Sequence, residues 1–215
     1  MFSENSILMN VLEKIADMCI ASIMWVIFCI PLITMVPATI ALYYTTVKVV
    51  RRNTGYVIRE FWGAFIQNIR QGIFVEIIYI ILGILCYALH SFSIQVGLNT
   101  SLGKAYYVFS MGVGILAMMI LLYLLPVLSR FSVSVFSAFR LATAFELNNL
   151  KTVVPLLFTA AAAVGVMYLF PPASLIVPSV YCFLVSYSVE KVLIQYIEKN
   201  VTDAEENSGA WYMGG

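Results

Sequence analysis

Three acids lie at the edges of long apolar segments of this sequence: Asp17, Glu76 and Glu190. A charge inside hydrocarbon is costly, so an acid within a membrane segment points to an ion or proton pathway. Each acid falls near the end of its segment, and Lys14 and Lys191 lie close to the first and the last. These positions favour structural or snorkelling roles over an ion pathway. The bases expected to pair with Glu76 are Arg70, Arg140 or Lys151.

The sequence predicts no catalytic, cofactor-binding or metal-binding residues. Its single histidine, His90, cannot build an HExxH or multi-histidine site, and the GxSxG and GxxxxGK[ST] motifs are absent. The four cysteines stand in apolar segments without a CxxC pair, which favours apolar packing over metal or disulfide chemistry. We therefore expect a protein that is not an enzyme, in which His90 forms interfacial hydrogen bonds.

Composition places the chain in a lipid bilayer. Hydrophobic residues make up 62% of the sequence and charged residues 11%, with a mean hydropathy of +0.94. The net charge is only +1, and no basic stretch is interleaved with stacking aromatics. Nucleic acid is thus excluded as a partner.

Charge-free runs locate the membrane spans at 18–47, 77–103, 105–129 and 152–189. Because about 20 apolar residues cross the hydrocarbon, the second and third runs hold one helix each. The fourth run holds two short helices divided at Pro171-Pro172. The first run holds one span at 11–33, a break at Pro31 and Pro37, and a second helical piece.

The sequence therefore predicts an all-α polytopic membrane bundle of about five transmembrane helices. It forms a single domain over residues 1–200, and 201–215 form a disordered cytoplasmic tail. The positive-inside rule places the two long loops and the C-terminus in the cytoplasm and the N-terminus outside. Only Lys14 and Lys104 fall on the outer side. The inner bases are Lys48, Arg51, Arg52, Arg59, Arg70, Arg130, Arg140, Lys151, Lys191 and Lys199.

A turn at Asn53-Thr54-Gly55 is followed by an amphipathic helix. Its apolar residues recur at spacings of three and four: they are Ile58, Phe61, Trp62, Phe65, Ile69 and Ile73. A weaker amphipathic pattern occupies 131–142. Both helices are expected to lie along the inner headgroup boundary as interfacial connectors, or to dock onto another protein. The predicted partner contacts are Phe61, Trp62, Phe65, Asn68 and Arg70.

Small residues spaced by four occur within two spans, at Ser110 with Gly114 and at Ala161 with Gly165. Such pairs let helix backbones approach closely, and we expect them to hold this bundle together rather than to form a dimer. The order of span, proline, amphipathic helix and span also occurs twice, which fits either a chance match in so apolar a chain or an internal repeat. No oligomeric state follows from these patterns.

The first third of the chain resembles a known family. The residues that carry the resemblance are Leu12, Asp17, Trp25, Cys29-x-Pro31-x-x-Thr34, Ala38, Ala41, Tyr43-Tyr44, Lys48, Gly55-Tyr56 and Phe61-x-x-x-Phe65-x-x-Asn68-x-x-Gln71. This pattern is similar to that of the YesL-like proteins, small polytopic bacterial membrane proteins of unknown function. The resemblance implies a multi-pass protein of the bacterial cytoplasmic (plasma) membrane.

YesL-like proteins are commonly encoded beside binding-protein-dependent ABC importers for oligosaccharides and beside two-component regulators. The resemblance implies a non-catalytic accessory or assembly subunit that contacts the permease and ATPase of such an importer. Residues 142–155 lack the glycine and the start of the permease coupling loop, so the chain is not expected to be the permease itself. The alternatives are a signalling component that partners a histidine kinase, and a small transporter or channel.

Overall fold

The computed structural model describes residues 2–97, 99–131 and 133–200, and every element within them is helical. The α-helices are α1 (Phe2–Cys29), α2 (Met35–Thr45), α3 (Val57–Val96), α4 (Ser101–Arg130), α5 (Val135–Asn148), α6 (Leu150–Leu169) and α7 (Val177–Asn200). Short 3₁₀ segments occupy Leu32–Thr34 and Pro171–Leu175, and a π-helical segment occupies Thr46–Arg51. The predicted all-α class is confirmed. The predicted tail, 201–215, lies outside the described residues.

Helix α1 ends at Cys29, before the expected boundary at residue 33. Pro31 cannot donate a backbone hydrogen bond, and it also disfavours helical geometry at the residue before it. The Thr34 hydroxyl then donates to the carbonyl oxygen of Phe28 at 2.6 Å, which satisfies one carbonyl at the end of α1. Pro37 is accommodated in the first turn of α2, where backbone N–H groups have no partner within the helix.

The predicted turn between α2 and α3 is confirmed. Asn53 and Gly55 adopt positive φ values of 52° and 88°, a conformation that asparagine and glycine tolerate best. The chain therefore reverses direction after the π-helical segment, and α2 and α3 form a hairpin. At the tip of this hairpin, the Lys48 ammonium lies 2.8 Å from the Glu60 carboxylate.

Helix α3 is one continuous helix of 40 residues, about 60 Å long. Residues 57–76, the proximal half, carry all of its charged side chains, and residues 77–96, the distal half, carry none. The proximal half packs antiparallel to α2, as shown by the Lys48–Glu60 pair and by a hydrogen bond from Val36 N to Glu76 Oε2. The distal half packs against α4, where Tyr79 Oη donates to Ala117 O at 2.9 Å.

Five helical segments in the described part are long and apolar enough to cross a membrane. They are Leu32–Arg51, Val57–Val96, Ser101–Arg130, Leu150–Leu169 and Val177–Tyr196. The chain is thus a multi-pass membrane protein. By length and composition, Leu32–Arg51 replaces the span predicted at 11–33, because α1 carries Glu13, Lys14 and Asp17.

Leu32–Arg51 is the most deeply buried of the five candidates. It lies beside the charged proximal half of α3, so it cannot share one membrane slab of about 30 Å with the distal half. In its most apolar window 67% of the residues are buried inside the protein, against 11% for α3. Helix α1 packs against α7 and the Pro171–Leu175 turn, and it exposes apolar side chains between Met9 and Ile27. Helix α1 also packs against α2 and the proximal half of α3, so it belongs to the same group of helices as Leu32–Arg51.

The predicted division of the fourth apolar run is confirmed, because α6 and α7 are separated by Pro171–Leu175. The expected tight packing at the small-residue pairs is wrong. A Cβ atom added at Gly114 or Gly165 would meet nothing within 4 Å. Both glycines instead line an open crevice between α3, α4 and α6.

Candidate functional site

A buried ionic cluster joins α2, α4 and α7. The carboxylate of Glu190 accepts hydrogen bonds from Arg130 Nε at 3.0 Å and from Arg130 Nη2 at 2.5 Å. Tyr43 Oη donates to the same carboxylate at 3.1 Å, and Arg52 Nη2 lies 3.9 Å from it. We call these four residues the Glu190 cluster. The exposed fractions of the Glu190 and Arg130 side chains are 3% and 4%, so the central pair is sealed from solvent.

The π-helical segment holds further contacts to α7. Arg51 Nη1 donates to the carbonyl oxygen of Ser186 at 3.0 Å, and its guanidinium lies 4.5 Å from the ring centre of Tyr187. Burial and the neighbouring guanidinium of Arg130 lower the pKa of Arg52. A π-helical segment widens the helical turn and is often found at functional sites. Here it ends at the arginine that reaches α7.

The hydrogen bonds of the Glu190 cluster favour a structural role over a catalytic one. A carboxylate that already accepts from a bidentate arginine and a tyrosine has most of its acceptor sites occupied, so it is poorly suited to take a proton from a substrate. Breaking such a buried pair is costly, because the remaining charge loses its partner. The cluster therefore fixes α7 against α2 and α4.

Glu76 stabilises the start of α2. Its Oε2 accepts from the backbone N–H of Val36 at 2.7 Å, which satisfies a donor that has no partner within α2. A negative charge at a helix N-terminus is also favoured by the helix dipole. The bases expected to pair with Glu76, Arg70, Arg140 or Lys151, do not do so in the described part of the chain.

The other two acids also differ from expectation. Glu190 pairs with Arg130, whereas the adjacent Lys191 is exposed. Asp17 is half-buried on α1, and no ion pair within the described residues joins it to Lys14. The structure therefore brings Glu190 and Glu76 into the interior of the hairpin region but leaves Asp17 apart from them.

An aromatic cluster stands where the partner contacts are predicted. Phe61 and Phe65 are buried, with exposed fractions of 0% and 6%, because both pack against Phe28 of α1. Asn68 is half-buried and its side-chain amide donates to Ala64 O at 2.9 Å. Phe61 and Phe65 are thus interior residues in this fold, and the predicted contact surface is reduced to its neighbours.

The exposed part of this region is a stripe formed by Ile58, Trp62 and Ile66, which we call the Trp62 stripe. Their exposed fractions are 63%, 49% and 52%. The spacing of four places them on one face of α3. Trp62 is anchored on its inner side, where its ring lies 5.5 Å from that of Phe28. The predicted contact Arg70 is also exposed.

A family profile described as "Protein of unknown function, DUF624" matches residues 18–88. No curated protein and no solved structure matches the chain. The matched region runs from the last part of α1, through α2, into the distal half of α3. It contains the Phe28 contacts, the Trp62 stripe and the Glu76 cap. It also contains Tyr43 and Arg52 of the Glu190 cluster, while Arg130 and Glu190 lie beyond it.

The sequence did not predict the roles of Arg130 and Tyr43. Arg130 and Glu190 are 60 positions apart, and no local spacing reports such a contact. The available signal was the placement of Arg130 at the end of an apolar run, which reads equally well as an orientation signal. Tyr43 belongs to the family pattern, and its buried hydroxyl needs a polar partner.

A crevice lies between α3, α4 and α6. Its volume is about 1140 Å³, and its lining is almost entirely apolar. His90 lies at its edge, where its ring is 5.3 Å from that of Tyr107. No group of three or more His, Cys, Asp or Glu in the described part could hold a metal ion. The crevice offers few polar groups to orient a hydrophilic ligand.

Proposed function

We propose that this chain is a non-catalytic accessory or assembly subunit of a binding-protein-dependent carbohydrate ABC importer. The Trp62 stripe is its docking surface, and it contacts the importer on the cytoplasmic side of the bacterial plasma membrane. The partners are the permease and ATPase subunits.

The continuity of α3 is the observation that carries the proposal. The distal half alone is about 30 Å long, which is the thickness of the hydrocarbon core. The proximal half must then project beyond the membrane, because a straight helix cannot both cross and lie along the surface. The stretch from Trp62 to Glu76 measures about 20 Å. This distance exceeds the headgroup layer, so the stripe is poorly placed for the interfacial anchoring considered from the sequence.

An apolar stripe that is exposed to water outside the membrane indicates a binding surface for another protein. Contiguous apolar side chains on a water-facing surface mark contacts with other proteins. The residues that contribute most to binding in protein interfaces are often tryptophan and arginine. Arg59 and Arg70 are exposed on the same half of α3 as Trp62. The inner anchoring of Trp62 on Phe28 also reduces the entropy lost when a partner binds.

The Glu190 cluster supports a structural role for the same region. It ties α7 and α4 to the hairpin that presents the stripe, so the docking surface has a rigid base. Rigid elements position binding residues better than loops do. The choice of a carbohydrate importer as the partner rests on the resemblance to the YesL-like proteins and on their gene neighbourhoods.

Affinity purification from native membranes in mild detergent tests the proposal. We expect importer permease and ATPase subunits in preparations of the wild-type chain, at least about tenfold depleted when Trp62→Ala or Ile66→Gln removes one contact. Phe136→Ala, which removes an aromatic side chain that is 84% exposed on α5, is the matched control and should leave recovery unchanged. Thermal unfolding of each variant separates lost docking from lost folding.

Two outcomes would count against this function. Preparations without any importer subunit, under conditions in which the importer itself stays assembled, would overturn the importer as partner. Recovery of a histidine kinase that depends on Trp62 would keep the docking surface but favour the signalling alternative.

A further inference from the structure

The crevice between α3, α4 and α6 is closed at one end. There Tyr123 of α4 and Thr152 of α6 share a hydrogen bond of 2.6 Å, and Leu156 of α6 is buried. Farther along the two helices, Gly114 and Gly165 line the crevice, and a Cβ atom added at either would meet nothing within 4 Å. The space between α4 and α6 therefore widens with distance from the Tyr123–Thr152 contact.

The crevice is about as long as one leaflet of the hydrocarbon core is thick. Its lining runs from Ser110 to Leu122 on α4 and from Leu157 to Tyr168 on α6. At 1.5 Å per residue these stretches measure about 18 Å and about 17 Å. A transmembrane helix must cross about 30 Å, so it would collide with the closed end. An acyl chain that enters from one leaflet extends over about half of that thickness and ends inside the crevice.

The lining has the chemistry that an acyl chain requires. It is almost entirely apolar, and Met111 and Met118 supply flexible side chains that adapt to an irregular hydrocarbon surface. Water is a poor occupant, because it needs two to four polar partners. The crevice has a volume of about 1140 Å³, and a hydrocarbon chain in it restores dispersion contacts to the atoms of the lining.

Polar side chains lie at the open end. His90 lines the crevice there together with Tyr87 and Tyr168, whose exposed fractions are 73% and 85%. Within the described residues, no hydrogen bond occupies these three side chains. Tyrosine is enriched at the level of the lipid headgroups. The open end points away from Arg130 and Lys151, so it faces the outer leaflet in the orientation predicted from the sequence.

One base extends the polar end. Lys104 is exposed on α4, seven residues before Met111, so the two side chains lie on the same face of the helix. Seven residues measure about 10 Å, which places Lys104 beyond the open end of the crevice. No ion pair within the described part of the chain involves Lys104. Its positive charge is complementary to the phosphate of a phospholipid whose acyl chain lies in the crevice.

We propose that the crevice binds an acyl chain of a phospholipid from the outer leaflet, with the phosphate near Lys104. The glycerol and headgroup lie beside Tyr87, His90 and Tyr168. The bound chain fills the space between α4 and α6 and supports their separation. This lipid site is independent of the Trp62 stripe, which lies on the other half of α3.

Photolabelling of the full chain in phosphatidylcholine vesicles tests the proposal. The probe is a trace of phosphatidylglycerol that carries a diazirine near the end of one acyl chain. We expect it to label α4 and α6 near the closed end, around Leu122 and Leu157, more strongly than the exposed faces of the same helices.

Variants that fill the crevice give the matched comparison. Gly114→Leu combined with Gly165→Leu should lower this labelling at least about fivefold, because the new side chains displace several methylene groups of the lipid. Gly112→Leu is the control, since Gly112 lies on α4 outside the lining and its Cβ would also meet nothing within 4 Å. The control should be labelled like the wild type. Thermal unfolding of each variant separates lost binding from lost folding.

The charge at the open end is tested with the same probe. Lys104→Gln should reduce the labelling around Leu122 and Leu157 about fivefold, the effect expected of one lysine near an anionic lipid surface. Lys14→Gln, which removes the other base predicted on the outer side, should leave it unchanged.

Three outcomes would overturn the proposal. In the first, the wild type is labelled no more strongly at the closed end than on its exposed faces, a result that needs no variant. In the second, the crevice-filling variant is labelled like the wild type. In the third, Gly165→Cys in a cysteine-free background forms a disulfide between two chains in the vesicles, which would make a second copy the occupant of the crevice.

Discussion

Arg130 at the end of α4 donates two parallel hydrogen bonds to Glu190 of α7. Nε donates to Oε1 at 3.0 Å, and Nη2 donates to Oε2 at 2.5 Å. Tyr43 of α2 donates to the same carboxylate, so one acid joins three helices. A pair that is so deeply buried adds little net stability relative to an apolar pair. It is costly to break from one side, because the partner left behind keeps its charge.

Removing one partner of this pair should therefore destabilise the chain more than removing both. We expect Glu190→Gln or Arg130→Met to cost about 3–5 kcal/mol, and the combined Arg130→Met and Glu190→Leu variant to recover most of that loss. Unfolding in detergent gives the free energies for a double-mutant cycle. Lys191→Gln, the neighbour that the sequence suggested as the partner, should change stability by less than about 0.5 kcal/mol. Additive losses in the cycle would show that the two residues do not act as a pair.

Gly72 permits a close approach between α2 and α3. A Cβ atom at this position would lie 2.6 Å from Pro37 Cγ and 2.9 Å from Pro37 Cα. A proline ring and a backbone atom cannot move aside as a flexible side chain can, so the helices themselves would have to separate.

Gly72→Ala should therefore destabilise the chain by about 1–3 kcal/mol, as overpacking does in other interiors. Gly83→Ala is the matched control, because it lies in the same helix and its Cβ would meet nothing within 4 Å. That variant should be neutral or slightly stabilised, since alanine favours helix over glycine. Equal unfolding temperatures for the two variants would contradict the packing of Pro37 on Gly72.

Local signals in the sequence predicted much of this fold. Charge-free runs, the proline pair before α7 and the asparagine and glycine of the hairpin turn act within a few residues of their effects. The continuity of α3 was not predicted, because the change from polar to apolar residues near Glu76 resembles an element boundary. The absence of proline from 57–96 was the signal in the sequence that the helix continues.

The candidate site was predicted only in part, because local signals do not report tertiary contacts. Trp62 is visible in the helical periodicity, but periodicity does not say which apolar residues face Phe28 and which face outward. Phe61 and Phe65 follow the same pattern as Trp62 and are buried, because α1 covers their side of the helix. The contacts of Glu190 with Arg130 and Tyr43 depend on tertiary packing, which no single segment of the sequence encodes.

The pair of Lys48 and Glu60 should contribute modestly to the hairpin. Their side chains are 18% and 19% exposed, and the ammonium also donates to Tyr44 Oη at 3.1 Å. We expect a coupling energy of about 0.5–1 kcal/mol from the single variants Lys48→Met and Glu60→Gln with their combination. Unfolding at low and high salt is the measurement, and the coupling should fall as salt rises because the pair is partly solvated. If the coupling energy does not change with salt, the pair is less accessible to solvent than its exposed fractions indicate.

The depth of α2 gives the sharpest test of the membrane arrangement. If α2 lies beside the projecting half of α3, then Ile30 and Tyr56 lie on the same side of the membrane. These residues are 77% and 80% exposed, so cysteines placed there are accessible to a reagent. In a variant whose native cysteines are replaced by alanine, an impermeant maleimide should label both Ile30→Cys and Tyr56→Cys in inverted vesicles. Labelling of Ile30→Cys and Tyr56→Cys from opposite sides would make Leu32–Arg51 a crossing, and the Trp62 stripe would then lie within the hydrocarbon, where no protein partner is needed to cover it.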